Sequence, residues 1–227
     1  MVYRLVMSRS PNCDDRPAGT VIDTLVLHYT GMPTADEAIA RLCDPAAEVS
    51  AHYVIDRKGC VYALVPEDKR AWHAGVSFWA GKPGVNARSI GIELVNPGHE
   101  FGYVPYTDDQ LESLIELGGE ILRRHPIGPR GVVGHSDVAP ARKNDPGELF
   151  PWARLAAAGI GLWPADCESL PPLPVEDLAR YGYGLPPDCD VPRDAVIRAF
   201  QRRFRPSRID GWWDVECGRR LAGLLRH

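Results

Sequence analysis

Two histidines and one aspartate sit where a folded chain could bring them together. His28 closes the apolar run Thr24-Leu-Val-Leu-His-Tyr29, and His135 follows another, Gly131-Val-Val-Gly134. Strand ends are stiff, and a metal site needs ligands held closely in place. Asp145 lies further on, in Arg142-Lys-Asn-Asp-Pro-Gly147. Asp-Pro-Gly is strong turn chemistry by itself, so a plain turn is the competing reading; a tight turn also fixes a carboxylate. Two imidazoles and one carboxylate leave one tetrahedral position open, the pattern of a catalytic zinc. Nitrogen and oxygen donors alone do not exclude other metals.

Hydrolysis at such a site needs a base and a group to stabilise developing negative charge. Glu93 lies in Ser89-Ile-Gly-Ile-Glu-Leu-Val95, a carboxylate within an apolar strand. Burying that charge is costly without a partner or a task; the competing reading is that alternation turns Glu93 to solvent. Lys143 shares its loop with Asp145. Most lysines are solvated surface, but a cation tied to a metal ligand can stabilise a tetrahedral intermediate.

The elements that must position these residues are legible from periodicity. Thr24–Tyr29, Ser89–Val95 and Gly131–Gly134 read as strands. Tyr53–Val65 reads as a hairpin turning at Arg57-Lys-Gly59. Ala35–Leu42 reads as a helix capped by Thr34. Thr107-Asp-Asp-Gln110 is a capping box opening a helix that Pro126 ends. This mixture predicts an α/β (α+β) domain, a mixed central sheet flanked by helices.

Domain 1–165 is then expected to be catalytic, with a Pro-rich linker over 166–174 and a small three-helix domain over 175–227. In the last, Ile197, Phe200 and Phe204 share one helix face, with arginines expected opposite. Some 50 residues make a marginal core alone.

Composition excludes several classes. With 26 Lys+Arg against 30 Asp+Glu the net charge is -4, which gives no footprint for nucleic acid. No apolar run approaches the roughly 20 residues of a membrane span. The start, Met1-Val-Tyr-Arg-Leu-Val-Met-Ser, is too short in its apolar part for a secretory signal, so a cytoplasmic location is expected, or a periplasmic one if the natural chain begins earlier. The six cysteines form no Cys-x-x-Cys pair and are expected to be mostly buried free thiols.

Five stretches in order carry a family resemblance: Leu25-Val-Leu-His-Tyr29, Ser50-Ala-His-Tyr-Val-Ile-Asp56, Arg70-Ala-Trp-His-Ala-Gly-Val-Ser77, Ser89-Ile-Gly-Ile-Glu-Leu94 and Gly134-His-Ser-Asp-Val-Ala-Pro-Ala-Arg-Lys-Asn-Asp-Pro-Gly147. Over about Val21–Trp152 the chain resembles the zinc N-acetylmuramoyl-L-alanine amidases of the bacterial AmpD/AmiD type, which share a fold with peptidoglycan recognition proteins. The resemblance implies one Zn2+ per chain on His28, His135 and Asp145, with Glu93 acting on water and Lys143 aiding the transition state. It implies substrate contacts at Trp72, His73, Asn86 and Arg88. His52 matches the family without being a ligand and is read as a satisfied core histidine, while His99, His125 and His227 are read as surface. Val191–Phe204 with Ile209-Asp-Gly-Trp-Trp-Asp214 is similar to a three-helix peptidoglycan-binding module. The implied substrate is peptidoglycan or a muropeptide, cut between N-acetylmuramic acid (or its 1,6-anhydro form) and L-alanine in cell-wall recycling or turnover. The alternative is a non-catalytic peptidoglycan-binding protein of the same fold.

Overall fold

Alternation along Thr24–Tyr29 sends Leu25 and Leu27 into one apolar cluster and Val26 into another, so this strand is buried on both faces. The computed structural model describes residues 3–164 and 167–226. In chain order its elements are β1 (Leu5–Met7), β2 (Cys13–Asp15), β3 (Thr24–Tyr29), α1 (Ala35–Cys43), β4 (Tyr53–Ile55), β5 (Val61–Ala63), β6 (Lys69–Ala71), β7 (Phe78–Trp79), β8 (Lys82–Pro83), β9 (Ser89–Leu94), α2 (Gly98–Phe101), α3 (Asp108–Arg124), β10 (Val132–Gly134), α4 (His135–Val138), α5 (Trp152–Ala157), α6 (Leu178–Tyr181), α7 (Arg193–Phe204) and α8 (Val215–Leu224).

The main sheet runs β1-β5-β4-β9-β3-β10, with β4 and β5 antiparallel and every other neighbouring pair parallel. Two-stranded ribbons, β2–β6 and β7–β8, lie outside it. This is the mixed α/β architecture expected. The hairpin β4–β5, helix α1 with its Thr34 cap, and the Thr107/Gln110 capping box of α3 form where the sequence signals them.

Helix α3 lays Leu111, Leu114, Leu117 and Ile121 onto Leu25, Leu27, Ile90 and Ile92 of the sheet. Each such fully buried side chain contributes about 1.5–3 kcal/mol. The opposite face carries Val26 and Val133, and onto these pack Leu178, Tyr181, Phe200 and Phe204 from the C-terminal helices. One apolar cluster therefore contains residues from both sides of the expected 166–174 linker. The marginal core of the last 50 residues is completed by the sheet rather than closed upon itself. Ala165 and Asp166, at the expected domain boundary, and His227, expected on the surface, lie outside the described residues.

Two expectations are corrected here. The arginines of α7 do not all lie opposite its apolar face: Arg203 is buried, as is Arg205 just beyond the helix end. The six cysteines are free thiols, but only Cys217 is fully buried. Among the described residues no helix is long and apolar enough to cross a membrane.

Candidate active site

Because β9, β3 and β10 are parallel neighbours, their carboxyl ends share one rim, where open α/β sheets place their ligand sites. His28 lies near the end of β3, Glu93 near the end of β9, and His135 directly after β10. His28 and Glu93 are register partners, so their side chains leave the sheet on the same face. The loop after α4 returns Asp145 to the same place, where the Ser136 N–H donates to the Asp145 carbonyl at 2.8 Å. Tyr103 and Tyr106 hold that loop by donating their hydroxyls to the Pro146 carbonyl at 2.6 and 2.7 Å.

His28 Nδ1, His135 Nδ1 and Asp145 Oδ2 form a triangle with every side 3.0 Å. The outer nitrogens fix the tautomers. His135 Nε2 lies 3.2 Å from the Ala74 carbonyl, which only accepts, so that nitrogen carries the proton. His28 Nε2 faces His73 Nδ1 at 3.0 Å, and His73 Nε2 faces Ser89 Oγ at 3.1 Å. A relay of donors running from His28 through His73 to Ser89 satisfies all three groups. Both Nδ1 lone pairs and a carboxylate oxygen then converge on one point with no proton to share. A cation resolves that convergence. Tetrahedral ligands at about 2.0–2.1 Å from zinc stand roughly 3.3 Å apart, so the triangle fits a divalent ion of that size after slight opening. His28, His135 and Asp145 are the group among the described residues that could hold a metal, and all three are buried.

The electrostatics agree with this geometry. Burial, then the His135 ring, lowers the His28 pKa to about 4 against the pull of Asp145, so its lone pair is free at neutral pH. Burial and the His28 ring push His73 well below the ordinary histidine value. Burial alone would raise Asp145, but the two histidines, where protonated, hold its carboxyl well below the usual carboxylate range. Glu93 is moved the other way: burial and the Asp145 charge raise it well above its ordinary value, with Lys143 opposing. Its Oε2 is buried with no hydrogen-bond partner among the described residues.

Glu93, Lys143, Trp72 and His73 line one cleft of about 570 Å³ with His135 and Asp145. Two of the expected contact residues stand elsewhere. Asn86 Oδ1 accepts from the backbone N–H of His73 and Ala74 at 3.1 and 2.7 Å, so it supports the segment carrying His73 and the Ala74 carbonyl. Arg88 is buried, giving its guanidinium to Asp23, to Thr24 Oγ1 at 2.9 Å and to the Trp79 carbonyl at 2.6 Å. Neither is among the residues lining the cleft. His52 is a buried core histidine away from the cleft: Nδ1 accepts from the Gly91 N–H at 2.9 Å, and Nε2 lies 3.2 Å from the Lys69 carbonyl and 3.0 Å from Arg16 Nη2. His99 is exposed; His125 is half-buried and bonded to Glu67 at 2.6 Å.

Sequence reasoning missed Gly91 and the support that His73 gives to His28. A Cβ on Gly91 would stand 2.5 Å from His73 Cγ, so the ring lies flat over the strand where a side chain would be. Gly91 has no positive φ to explain it. The signal available was a glycine within an apolar strand, which marks close approach.

Residues 18–148 match the family model described as Amidase_2, N-acetylmuramoyl-L-alanine amidase. The chain is 41% identical to the N-acetylmuramoyl-L-alanine amidase AmiD of Escherichia coli K12, over 90% of this chain and 82% of that protein. It is 38% identical to the 1,6-anhydro-N-acetylmuramyl-L-alanine amidase AmpD of Enterobacter cloacae, over 65% of this chain and 86% of that one. Among solved structures, E. coli AmiD in complex with the substrate anhydro-N-acetylmuramic acid-L-Ala-D-gamma-Glu-L-Lys superposes with a TM-score of 0.81 at 38% identity, covering 93% of this chain and 92% of that one.

Proposed function

We propose a metal, a substrate and a set of residue roles from one premise: this chain belongs to the N-acetylmuramoyl-L-alanine amidase family. Its reaction is hydrolysis of the amide joining N-acetylmuramic acid to L-alanine in peptidoglycan or muropeptides. The metal is zinc, held by His28, His135 and Asp145. The observation that carries this reading is the 3.0 Å triangle of unprotonated donors, which needs a cation at its centre.

When bound, the ion supplies Lewis acidity, lowering the pKa of water towards about 7 and polarising the scissile carbonyl. Glu93 takes a proton from the attacking water and returns one to the leaving amine of L-alanine, as base and then acid. Its unpartnered Oε2 and raised pKa suit both steps. Lys143, lining the same cleft, offsets charge developing on the carbonyl oxygen. Trp72 supplies an apolar wall for the substrate, and His73 orients His28.

The substrate is an anhydromuropeptide, the class that the AmpD relative's name and the AmiD complex both specify for those proteins. The division into a catalytic part over 1–165 and a helical part over 175–227 belongs to the same proposal. In the second part Trp212 is 75% exposed, an aromatic available to a glycan strand, and this favours a further reading in which polymeric peptidoglycan is also engaged.

The test compares a purified anhydromuropeptide with whole sacculi, reading products by mass, with and without a chelator. Release of a peptide with a free L-alanine amine, abolished by the chelator and restored by zinc, is expected. Unchanged release after metal removal refutes the metal assignment. Cleavage confined to sacculi refutes the substrate.

A further inference from the structure

The turn that aims His135 is held from outside the segment that carries the site. Asp137, two residues after His135, is buried, and its Oδ2 accepts from the Gly134 N–H at 2.8 Å, closing the turn through which β10 becomes α4. Two residues of the C-terminal part complete that carboxylate. Arg203 of α7 donates from Nη1 to the same Oδ2 at 2.8 Å, and Tyr183 donates its hydroxyl to Oδ1 at 2.6 Å. The second arm of the guanidinium, Nη2, donates to the Val132 carbonyl of β10 at 2.9 Å. Both charged side chains are 1% exposed, and the guanidinium lies over the Trp152 ring with 4.0 Å to its centroid.

One guanidinium thus ties the strand before His135 to the carboxylate after it. Planar, two-armed geometry of this kind fixes orientation as well as charge, and lysine cannot reproduce it. A buried carboxylate stripped of such a partner is strongly destabilised, and here the strain falls on the turn of a proposed metal ligand.

We propose that Arg203 and Tyr183 are positioning residues of the metal site, so that the C-terminal helices are part of the catalytic centre's scaffold rather than only an appended binding module. This rests on the reading of His135 as a ligand. Partners bonded directly to a ligand tune affinity because the ligand must be held at a fixed distance and angle, and their loss typically weakens metal binding by about 10–100-fold. Arg203 and Tyr183 act one step further out, through the Asp137 turn, so the low end of that scale applies.

The experiment measures zinc affinity of the full-length folded protein by competition with a chromogenic chelator, beside thermal unfolding of the metal-free form. Three variants are compared with wild type: Arg203→Met, Tyr183→Phe and Arg205→Met. Arg205 is the control, a buried arginine one residue past α7 whose partners Asp214 and Asp210 both lie in the C-terminal part. Arg203→Met is expected to weaken zinc binding by about 10-fold, the low end of the scale for directly bonded partners, and Tyr183→Phe to weaken it less but in the same direction. Arg205→Met is expected to lower the melting temperature with zinc affinity unchanged. If Arg203→Met does not fold, Tyr183→Phe, which removes one oxygen, decides. Wild-type zinc affinity in the folded Arg203 and Tyr183 variants overturns the inference, as does an equal loss in the Arg205 variant. A wild-type protein that takes up no zinc refutes the ligand assignment itself, a different outcome from wild-type uptake that the variants share.

Discussion

One methyl group added at Gly91 should loosen the metal without touching a ligand. Its Cβ would stand 2.5 Å from His73 Cγ and 2.7 Å from two further ring atoms, against ordinary contact beyond 3.4 Å. The ring cannot slide away freely: it is buried between His28 and Ser89, bonded to both. Gly91 cannot retreat either, because its N–H is bonded to His52 and its carbonyl accepts from the His52 N–H at 3.1 Å. Overpacking of this order costs about 1–3 kcal/mol. If His73 is displaced, His28 Nε2 loses its acceptor, and zinc binding should weaken by about 10–100-fold. Thermal unfolding of the metal-free Gly91→Ala protein and chelator competition on the folded fraction read the two effects separately. A variant that is destabilised yet binds zinc with wild-type affinity would refute the claim that His73 supports His28. A variant unchanged in both would refute the packing argument as well.

Glu93→Gln should retain stoichiometric zinc while turnover on an anhydromuropeptide falls by about 10²–10⁴-fold, the usual scale for a lost general base. Because burial raises Glu93 above its unfolded value, its ionisation costs folding energy at neutral pH, so the same variant should melt no lower than wild type; wild-type turnover would sink the assignment. Acid should destabilise the metal-free protein well before its surface carboxylates titrate. His28 and His52 are held at about 4 and about 3, and His73 well below its ordinary value. Between those values and 6.5 the unfolded chain binds more protons, so stability falls as pH falls, by about 1.4–4 kcal/mol per unit for one to three protons. Below pH 4.5 Glu67 adds to the loss, since burial would raise its pKa but Arg124, His125 and Tyr53 hold it at about 2. Urea unfolding at pH 7, 6 and 5 checks this, and a flat profile would contradict it.

The elements that build the site were legible because each carries a strong local signal. Thr24–Tyr29 and Ser89–Leu94 are β-rich apolar runs, and Thr107 with Gln110 caps α3 by a mechanism visible in four residues. Strands β1, β2 and β6 were not legible. Each spans three residues, mostly charged in β2 and β6 and too short for periodicity in β1, and gains its identity only from a partner far along the chain. The site divides in the same way. Residue type and strand-end position suggest His28, His135, Asp145, Glu93 and Lys143 as participants. What orients them is a matter of packing: Asn86 resembles a ligand contact in sequence, and its role under the His73–Ala74 backbone depends on where the 3-10 turn Val85–Arg88 brings it. Arg203 reads as the polar face of an amphipathic helix until the sheet it packs against is known.

The two carboxylates at the centre carry the strongest argument for their separate roles. Asp145, buried, and Glu93, half-buried, line the same cleft, and an anion on one opposes an anion on the other. Their surroundings resolve the conflict in opposite directions. Asp145 has two imidazoles against its Oδ2, which, where protonated, hold its carboxyl well below the usual carboxylate range, and a bound cation would do the same beside their lone pairs. Glu93, on the His28 face of β9 beside the Asp145 charge, has a buried oxygen with no hydrogen-bond partner among the described residues, so its proton affinity rises. Paired titratable groups driven apart in this way mark the acid and base of a site. A carboxylate permanently ionised by its neighbours is a poor proton carrier but a good ligand. One poised higher can lose and regain a proton within a turnover. Exchanging the two environments, rather than the two residues, would therefore exchange the roles: Asp145 reaches both histidines from the loop after α4, whereas Glu93 stands on β9 in register with His28.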